Sequence, residues 1–268
     1  MELGDRVVLV TGGANGIGRA LCRRIAQEKP RGIVIADRDP QAALALAAEM
    51  GAVAIAVDCD VSCEADVQAA VERSLQEFGR IDVVVSNAGV TAKGGFEAPD
   101  ADWDRLWRIN VLAHVFLARA VVPAMVKQGG GAFVVTASAA GLLTEIGSAA
   151  YSVTKHGAVA FAEWLSVHYR NQGLKVACVC PAGVATNFLD LDDPIHQFLH
   201  LSSVSAEHVA ECVIDALRRE VFLALPHPEV GEFFQFKTQN YDLWLHNFAH
   251  VNSRLQKQSE RARGISGE

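Results

Sequence analysis

Tyr151 and Lys155 stand four residues apart in Tyr151-Ser152-Val153-Thr154-Lys155, where a helical pattern running through 157–168 begins. On a helix that spacing puts both side chains on one face. A free phenol has a pKa of about 10, so only about one in a thousand is ionised at pH 7, but a neighbouring ammonium stabilises the phenolate. Tyr151 could then act as a general base. Alone, the pair reads equally well as an exposed Tyr and Lys on a helix. Ser138, which closes the apolar run Phe133-Val134-Val135-Thr136-Ala137, and Asn87-Ala88-Gly89, which follows another such run, supply further polar groups at strand ends.

A second cluster lies at the N-terminus. Val7-Val8-Leu9-Val10 runs straight into Thr11-Gly12-Gly13-Ala14-Asn15-Gly16-Ile17-Gly18 and then into a helical pattern. Glycines at such a turn let the chain approach a pyrophosphate, and the N–H groups that open the helix point at the anion. The spacing from Gly12 through Gly16 to Gly18 departs from G-x-G-x-x-G, so the turn by itself leaves open an ordinary glycine-rich connection. Asp37, ending Ile33-Val34-Ile35-Ala36-Asp37, stands about 20 residues further on, where a dinucleotide site wants an acid for the ribose hydroxyls. Its carboxylate would repel a 2′-phosphate, and Asn15 occupies a place where a basic residue could have held one, so NAD is expected. Arg38 keeps NADP open as the alternative, since a guanidinium there either pairs with a phosphate or is a solvated charge.

The elements that must carry these groups are seven short, nearly continuous apolar runs at 7–10, 33–36, 53–57, 83–85, 132–135, 176–179 and 221–225, separated by helical patterns. This rhythm predicts an α/β fold, a Rossmann-type doubly wound, mostly parallel seven-stranded sheet with helices on both faces. Ligands of such a sheet bind outside the C-terminal strand ends, where the glycine turn, Asp37, Asn87 and Ser138 would meet. No linker or repeat divides the 268 residues, so a single domain is expected, with a helical extension over 226–257 and a polar tail at 258–268 expected to fray.

Composition narrows the function. Half of the residues are hydrophobic and 21% charged, enough apolar material for a core, and the net charge of -7 forms no basic stripe, which argues against nucleic acid. The N-terminus lacks a secretory pattern, and the apolar stretch 109–126 carries Asn110, His114 and Arg119, which fits a buried helix better than a membrane span. Cys22, Cys59, Cys63, Cys178, Cys180 and Cys212 show no metal or redox spacing, so reduced thiols in a cytoplasmic protein are expected.

Taken in order, the T-G-G-A-N-G-I-G turn, Asp37, Asp60-Val61, Asn87-Ala88-Gly89, Asn110, Ser138 and the Tyr151/Lys155 pair resemble the short-chain dehydrogenase/reductase family over about residues 5–225. The resemblance implies that Tyr151 is the catalytic acid/base, that Ser138 holds the substrate oxygen, and that Lys155 binds the nicotinamide ribose and lowers the Tyr151 pKa. Asn110 would steady Lys155 through water. Gly12, Asn15, Gly16, Ile17 and Gly18 would cradle the nucleotide with Asp37 and Arg38, Asp60 and Val61 would touch the adenine, and Asn87, Ala88 and Gly89 would back the nucleotide. Val184 and Thr186 would reach the carboxamide, although Pro181-Ala182-Gly183 breaks the usual P-G pair. The activity implied is hydride transfer between a nicotinamide cofactor and a small alcohol or ketone, in a homo-oligomer. A nucleotide-binding sensor without turnover is the rival, and the complete set of four catalytic residues argues against it.

Three features stand outside this set. His196/His200 and His246/His250 have one-turn spacing but lack a third ligand, so no metal is expected. Segment 187–199, which the resemblance makes a flap, carries Phe188, Leu189, Leu191, Ile195, Phe198 and Leu199 beside Asp190, Asp192 and Asp193; its apolar side chains either line the pocket, which points to a neutral, hydrophobic substrate, or dock the flap on the body of the chain. The aromatic run Phe233, Phe234, Phe236, Tyr241, Trp244 and Phe248 either packs on the body of the chain or serves a pocket or subunit contact.

Overall fold

The computed structural model describes residues 1–186 and 203–262, the last five of these by backbone alone. The segment 187–199, His196 and His200 lie outside the described residues, as does the end of the polar tail.

Seven strands, β1 (Val7–Thr11), β2 (Gly32–Asp37), β3 (Ala54–Asp58), β4 (Val83–Ser86), β5 (Gly131–Thr136), β6 (Leu174–Val179) and β7 (Leu223–Ala224), form one parallel sheet in the order β3-β2-β1-β4-β5-β6-β7. The order reverses direction between β1 and β4, where Leu9 pairs with Val84 and Val10 with Val85. At such a switch point the two connecting loops part and leave a crevice at the C-terminal strand ends.

The continuous apolar runs follow from burial on both faces, since successive side chains alternate across the sheet. Leu9, Phe133 and Val135 face the layer of α3 (Glu64–Phe78), α5 (Ala113–Lys127) and α6 (Ala149–Tyr169), among Val67, Leu117, Val121 and Leu165. Val8, Val10 and Val134 face the other layer, α1 (Gly16–Ala26), α2 (Pro40–Met50) and α7 (Ala206–Arg219), among Leu21, Ile25, Leu46 and Val213. Each of these fully buried aliphatic or aromatic side chains contributes roughly 1.5–3 kcal/mol.

Some boundaries differ from the sequence expectation. Val53 precedes β3, because Gly51–Val53 closes a 3₁₀ turn. The last strand shortens to two residues: Glu220 caps α7 in the left-handed region at φ 56, the Val221 N–H returns to Ala216, and Pro226 offers no N–H to prolong the ladder. The apolar stretch 109–126 is not one regular helix. It joins a π-turn (Arg108–Leu112), preceded by α4 (Asp100–Trp107), to α5. The whole stretch Asp100–Lys127 has the length and apolarity of a membrane span, yet 61% of its apolar window is buried inside the protein, as suits a core helix.

Beyond β7 the extension forms α8 (Pro228–Gln239) and α9 (Tyr241–Ala262). Val230, Lys237, Trp244 and Leu255 are buried against the body, which answers part of the question left by the aromatic run, while Phe233 and Tyr241 stay more than half exposed.

Candidate active site

The turn between β1 and α1 has no room for side chains. A Cβ on Gly18 would lie 2.0 Å from the Gly12 carbonyl oxygen and 2.8 Å from Asn87 Nδ2, so only glycine lets helix and strand meet so closely. Asn15 stands before the first turn of α1 with extended backbone and makes no side-chain cap, and that turn carries no acid. Its free N–H groups and the positive end of the helix are therefore disposed toward an anion.

Asn87, one residue past β4, donates from Nδ2 to Thr11 O (3.0 Å) and Gly12 O (3.2 Å), while its own N–H donates to Thr11 Oγ1. It ties the two loops at the switch point together. Asp37, buried at the end of β2, accepts from Ala14 N–H at 2.9 Å through one carboxylate oxygen and from Asp39 N–H at 3.0 Å through the other. The same carboxylate thus holds the glycine turn and faces the crevice.

Ser138 follows β5 and opens the 3₁₀ turn Ala139–Gly141; its Oγ accepts from Ala140 N–H at 3.1 Å. Tyr151 enters from the first turn of α6, where Ser148 caps its N–H at 3.1 Å. The Ser138 hydroxyl lies close enough to the Tyr151 phenol to act on its titration. Burial holds the Tyr151 phenol well above the usual tyrosine range, and the Ser138 hydroxyl pulls the other way.

Lys155, one helical turn on, is buried, donates to Thr136 O at 3.0 Å, and has its Nζ 5.6 Å from the centre of the Tyr151 ring. Burial lowers its pKa from 10.5 to about 8, with Cys180 and Cys178 opposing. Behind it, His114 shares a 2.6 Å contact with Ser86 Oγ, and burial together with the Lys155 charge drives it down to about 3, so it is a neutral imidazole.

Asn110 sits in the π-turn, a distortion that recurs at functional sites. Its Oδ1 accepts from Val90 N–H (2.9 Å), and its Nδ2 donates to Val90 O (2.9 Å) and Thr154 Oγ1 (3.1 Å). Its side chain therefore fixes the loop after β4 rather than contacting the ammonium.

A cleft of about 1190 Å³ runs along these groups. Gly12, Asn15, Gly16, Ile17, Asp37, Arg38, Asp60, Val61, Asn87, Ala88 and Gly89 line it, as do Ser138, Tyr151, Lys155, Pro181, Gly183, Val184 and Thr186. Gly18 and Asn110 stand behind its wall. Sequence reasoning missed Arg19, one helical turn beyond Asn15 and readable from that spacing; Cys59, a poor nucleophile because burial pushes its thiol up to about 12; and a wall from Leu143 to Ile146 and from α8 and α9. The last had no local signal, since it joins segments about a hundred residues apart.

His246 and His250 contact each other on the exposed face of α9, and no group of three metal-ligating side chains occurs among the described residues. Cys178 and Cys180 point the same way from β6 with their sulfurs 3.8 Å apart, as packed thiols.

Comparison with known proteins places this geometry. The family model for short chain dehydrogenase matches residues 6–194. A 1-deoxy-11-beta-hydroxypentalenate dehydrogenase of Streptomyces exfoliatus is 35% identical over 260 residues, covering 92% of this chain and 91% of its own. Among solved structures, a short-chain dehydrogenase/reductase from Burkholderia phymatum in complex with NAD superposes with a TM-score of 0.85 at 28% identity, over 91% of this chain and 96% of that one. A 3-ketoacyl-(acyl-carrier-protein) reductase from Brucella melitensis complexed with NADH gives 0.74 at 26% identity, over 83% and 96%.

Proposed function

The chain belongs to the short-chain dehydrogenase/reductase family of oxidoreductases, and from that membership we propose that it transfers hydride between NAD and a neutral, hydrophobic secondary alcohol or ketone, with Tyr151 as the acid/base. The observation that carries this reading is that Ser138, Tyr151 and Lys155, all buried and with the Lys155 Nζ 5.6 Å from the centre of the Tyr151 ring, line one cleft.

The residues present fit a dinucleotide. The space that a Cβ on Gly18 would fill is closed, the first turn of α1 offers uncapped N–H groups, and the Asp37 carboxylate stands at the cleft wall. Gly12 to Gly18 would hold the pyrophosphate, Asp37 the ribose, Asp60 and Val61 the adenine, and Val184 and Thr186 the carboxamide. When bound, the nicotinamide supplies the hydride acceptor or donor.

In the oxidative direction Ser138 holds the alcohol oxygen and Tyr151 takes its proton, while the Lys155 ammonium favours the phenolate. In the reductive direction the buried, protonated phenol is already a proton donor. Asn110 would steady Lys155 only through water, its own amide being committed to Val90 and Thr154.

Arg19 and Arg38 both line the adenosine end, which favours a second reading with NADP. We place NAD first because a 2′-phosphate would lie against the Asp37 carboxylate. A homo-oligomer is part of the same proposal. The test is to follow absorbance at the reduced nicotinamide band while a panel of secondary alcohols is offered with NAD or NADP; no turnover of any uncharged alcohol or ketone would remove the reading.

A further inference from the structure

Lys237, near the C-terminus of α8, is 6% exposed, yet its ammonium is far from idle. It donates to Leu142 O at 2.7 Å and Leu143 O at 3.1 Å, and it lies 4.8 Å from the ring centre of Trp244 and 5.6 Å from that of Tyr241, both on α9. A single charge thus joins α8, α9 and the loop that leaves Ser138. Burying an ammonium is costly, and an apolar side chain of similar length would fill the place at less expense. What the ammonium adds is direction, because it fixes two consecutive carbonyls. Burial also holds it below the ordinary lysine range.

The loop so held needs holding. Thr144, immediately after Leu143, has φ 149, a conformation that L side chains rarely adopt and that surroundings must enforce. On its far side Ser152 Oγ accepts from Glu145 N–H at 2.8 Å while its proton goes to Ser148 O at 2.8 Å, anchoring the loop to the start of α6. On its near side the turn is pressed onto α6, where a Cβ on Gly141 would meet Lys155 O at 2.5 Å. Lys237 supplies the third fixed point. The segment it fixes lines the cleft through Leu143 and Ile146, and the helices it joins line the same cleft through Phe233, Phe248, Val251 and Leu255. Glu145 and Glu229, also at this end, disfavour an anion.

We propose that Lys237 is a positioning residue, a latch that holds the C-terminal helix pair against the loop after Ser138, so that their apolar side chains form one wall for a large, uncharged substituent of the substrate. The proposal rests on the alcohol/ketone reading above.

The experiment compares Lys237→Met, which keeps the stem and loses the charge, with Lys237→Arg. Two uncharged secondary alcohols are used, 2-butanol and a bicyclic alcohol of decalin size, and backbone hydrogen exchange is measured on the same proteins. In Lys237→Met the ratio of kcat/KM for the large alcohol over the small one falls by about tenfold, chiefly through KM, and Lys237→Arg recovers most of it. Exchange rises in 139–146 and 241–257 and not around the glycine turn. Equal losses for both alcohols would reduce Lys237 to a structural residue, and unchanged exchange in 139–146 would overturn the latch.

The exchange arm needs no substrate, so a wild-type protein that oxidises neither alcohol defeats the alcohol/ketone reading while the latch is still measured. If Lys237→Met does not fold, Phe248→Ala, at a half-buried place on α9, carries the test: it produces the same size-dependent rise in KM, and an unchanged KM for the large alcohol overturns the wall.

Discussion

Lys155 carries its charge into a place where it is badly solvated, and the consequence is measurable without any substrate. An unfolded chain keeps the ordinary lysine value of 10.5, whereas folded Lys155 titrates at about 8. Below pH 8 both states are charged and the folded protein bears the whole desolvation cost. Between 8 and 10.5 the folded lysine releases its proton first, so the unfolded state binds more protons and stability rises with pH. The difference corresponds to about 3 kcal/mol. In urea unfolding of the cofactor-free protein, the stability of wild type relative to Lys155→Met should therefore improve by up to that amount between pH 7.5 and 10.5; a flat difference contradicts the burial. At the other end of the cleft, Asp37→Ser should narrow the proposed preference for NAD over NADP, with Arg38 and Arg19 left to pair with a 2′-phosphate. Wild type using NADP at equal or better kcat/KM would remove Asp37 as the discriminating group. Both residues were legible in the sequence by type and spacing. Their double duties were not, since Asp37 also holds Ala14 N–H and Lys155 also donates to Thr136 O, and such partners are fixed only by tertiary contact.

Elements position these residues through close approaches that tolerate no added atom. Gly18→Ala places a methyl group 2.0 Å from the Gly12 carbonyl, so β1 and α1 must separate and the free N–H groups lose their aim. Calorimetric titration should show NAD affinity lowered by about tenfold or more, and an unchanged Kd would mean that the turn is not the cradle. The strands were readable because burial on both faces leaves continuous apolar runs, and the glycine turn because it interrupts one at a fixed place. The π-turn at Arg108–Leu112 was not, for its residues have ordinary helical character and the extra residue shows only in the hydrogen-bond ladder. β7 was overestimated for a related reason: Val221 and Phe222 are apolar, yet the cap at Glu220 claims the first of them.

At the scale of the whole molecule, α6 turns one face away from the core. Val153, Trp164 and Val167 are 48%, 50% and 78% exposed, and their spacing of eleven and three residues puts them on one side of the helix. Exposed apolar surface of this kind suits self-association. Light scattering should give a mass that is a multiple of 28.7 kDa, and Trp164→Glu combined with Val167→Glu should lower it; a monomer at micromolar concentration contradicts the expected oligomer. The site itself is also a property of the whole, because its polar half comes from strand ends visible in the sequence, while its apolar half needs α8 and α9 folded back across the cleft, an arrangement with no local signature.

In the proposed reaction Tyr151 moves the proton while the rest of the chain holds the cofactor, and Tyr151→Phe separates the two, removing one oxygen and leaving the cradle intact. Cofactor affinity and alcohol-dependent reduction of NAD should be measured on the same preparation. We predict NAD affinity within about threefold of wild type and turnover reduced by about 10²–10⁴-fold, the usual range for loss of a general acid/base. Residual turnover above about a tenth of wild type, well outside that range, would take Tyr151 out of the role and the account with it.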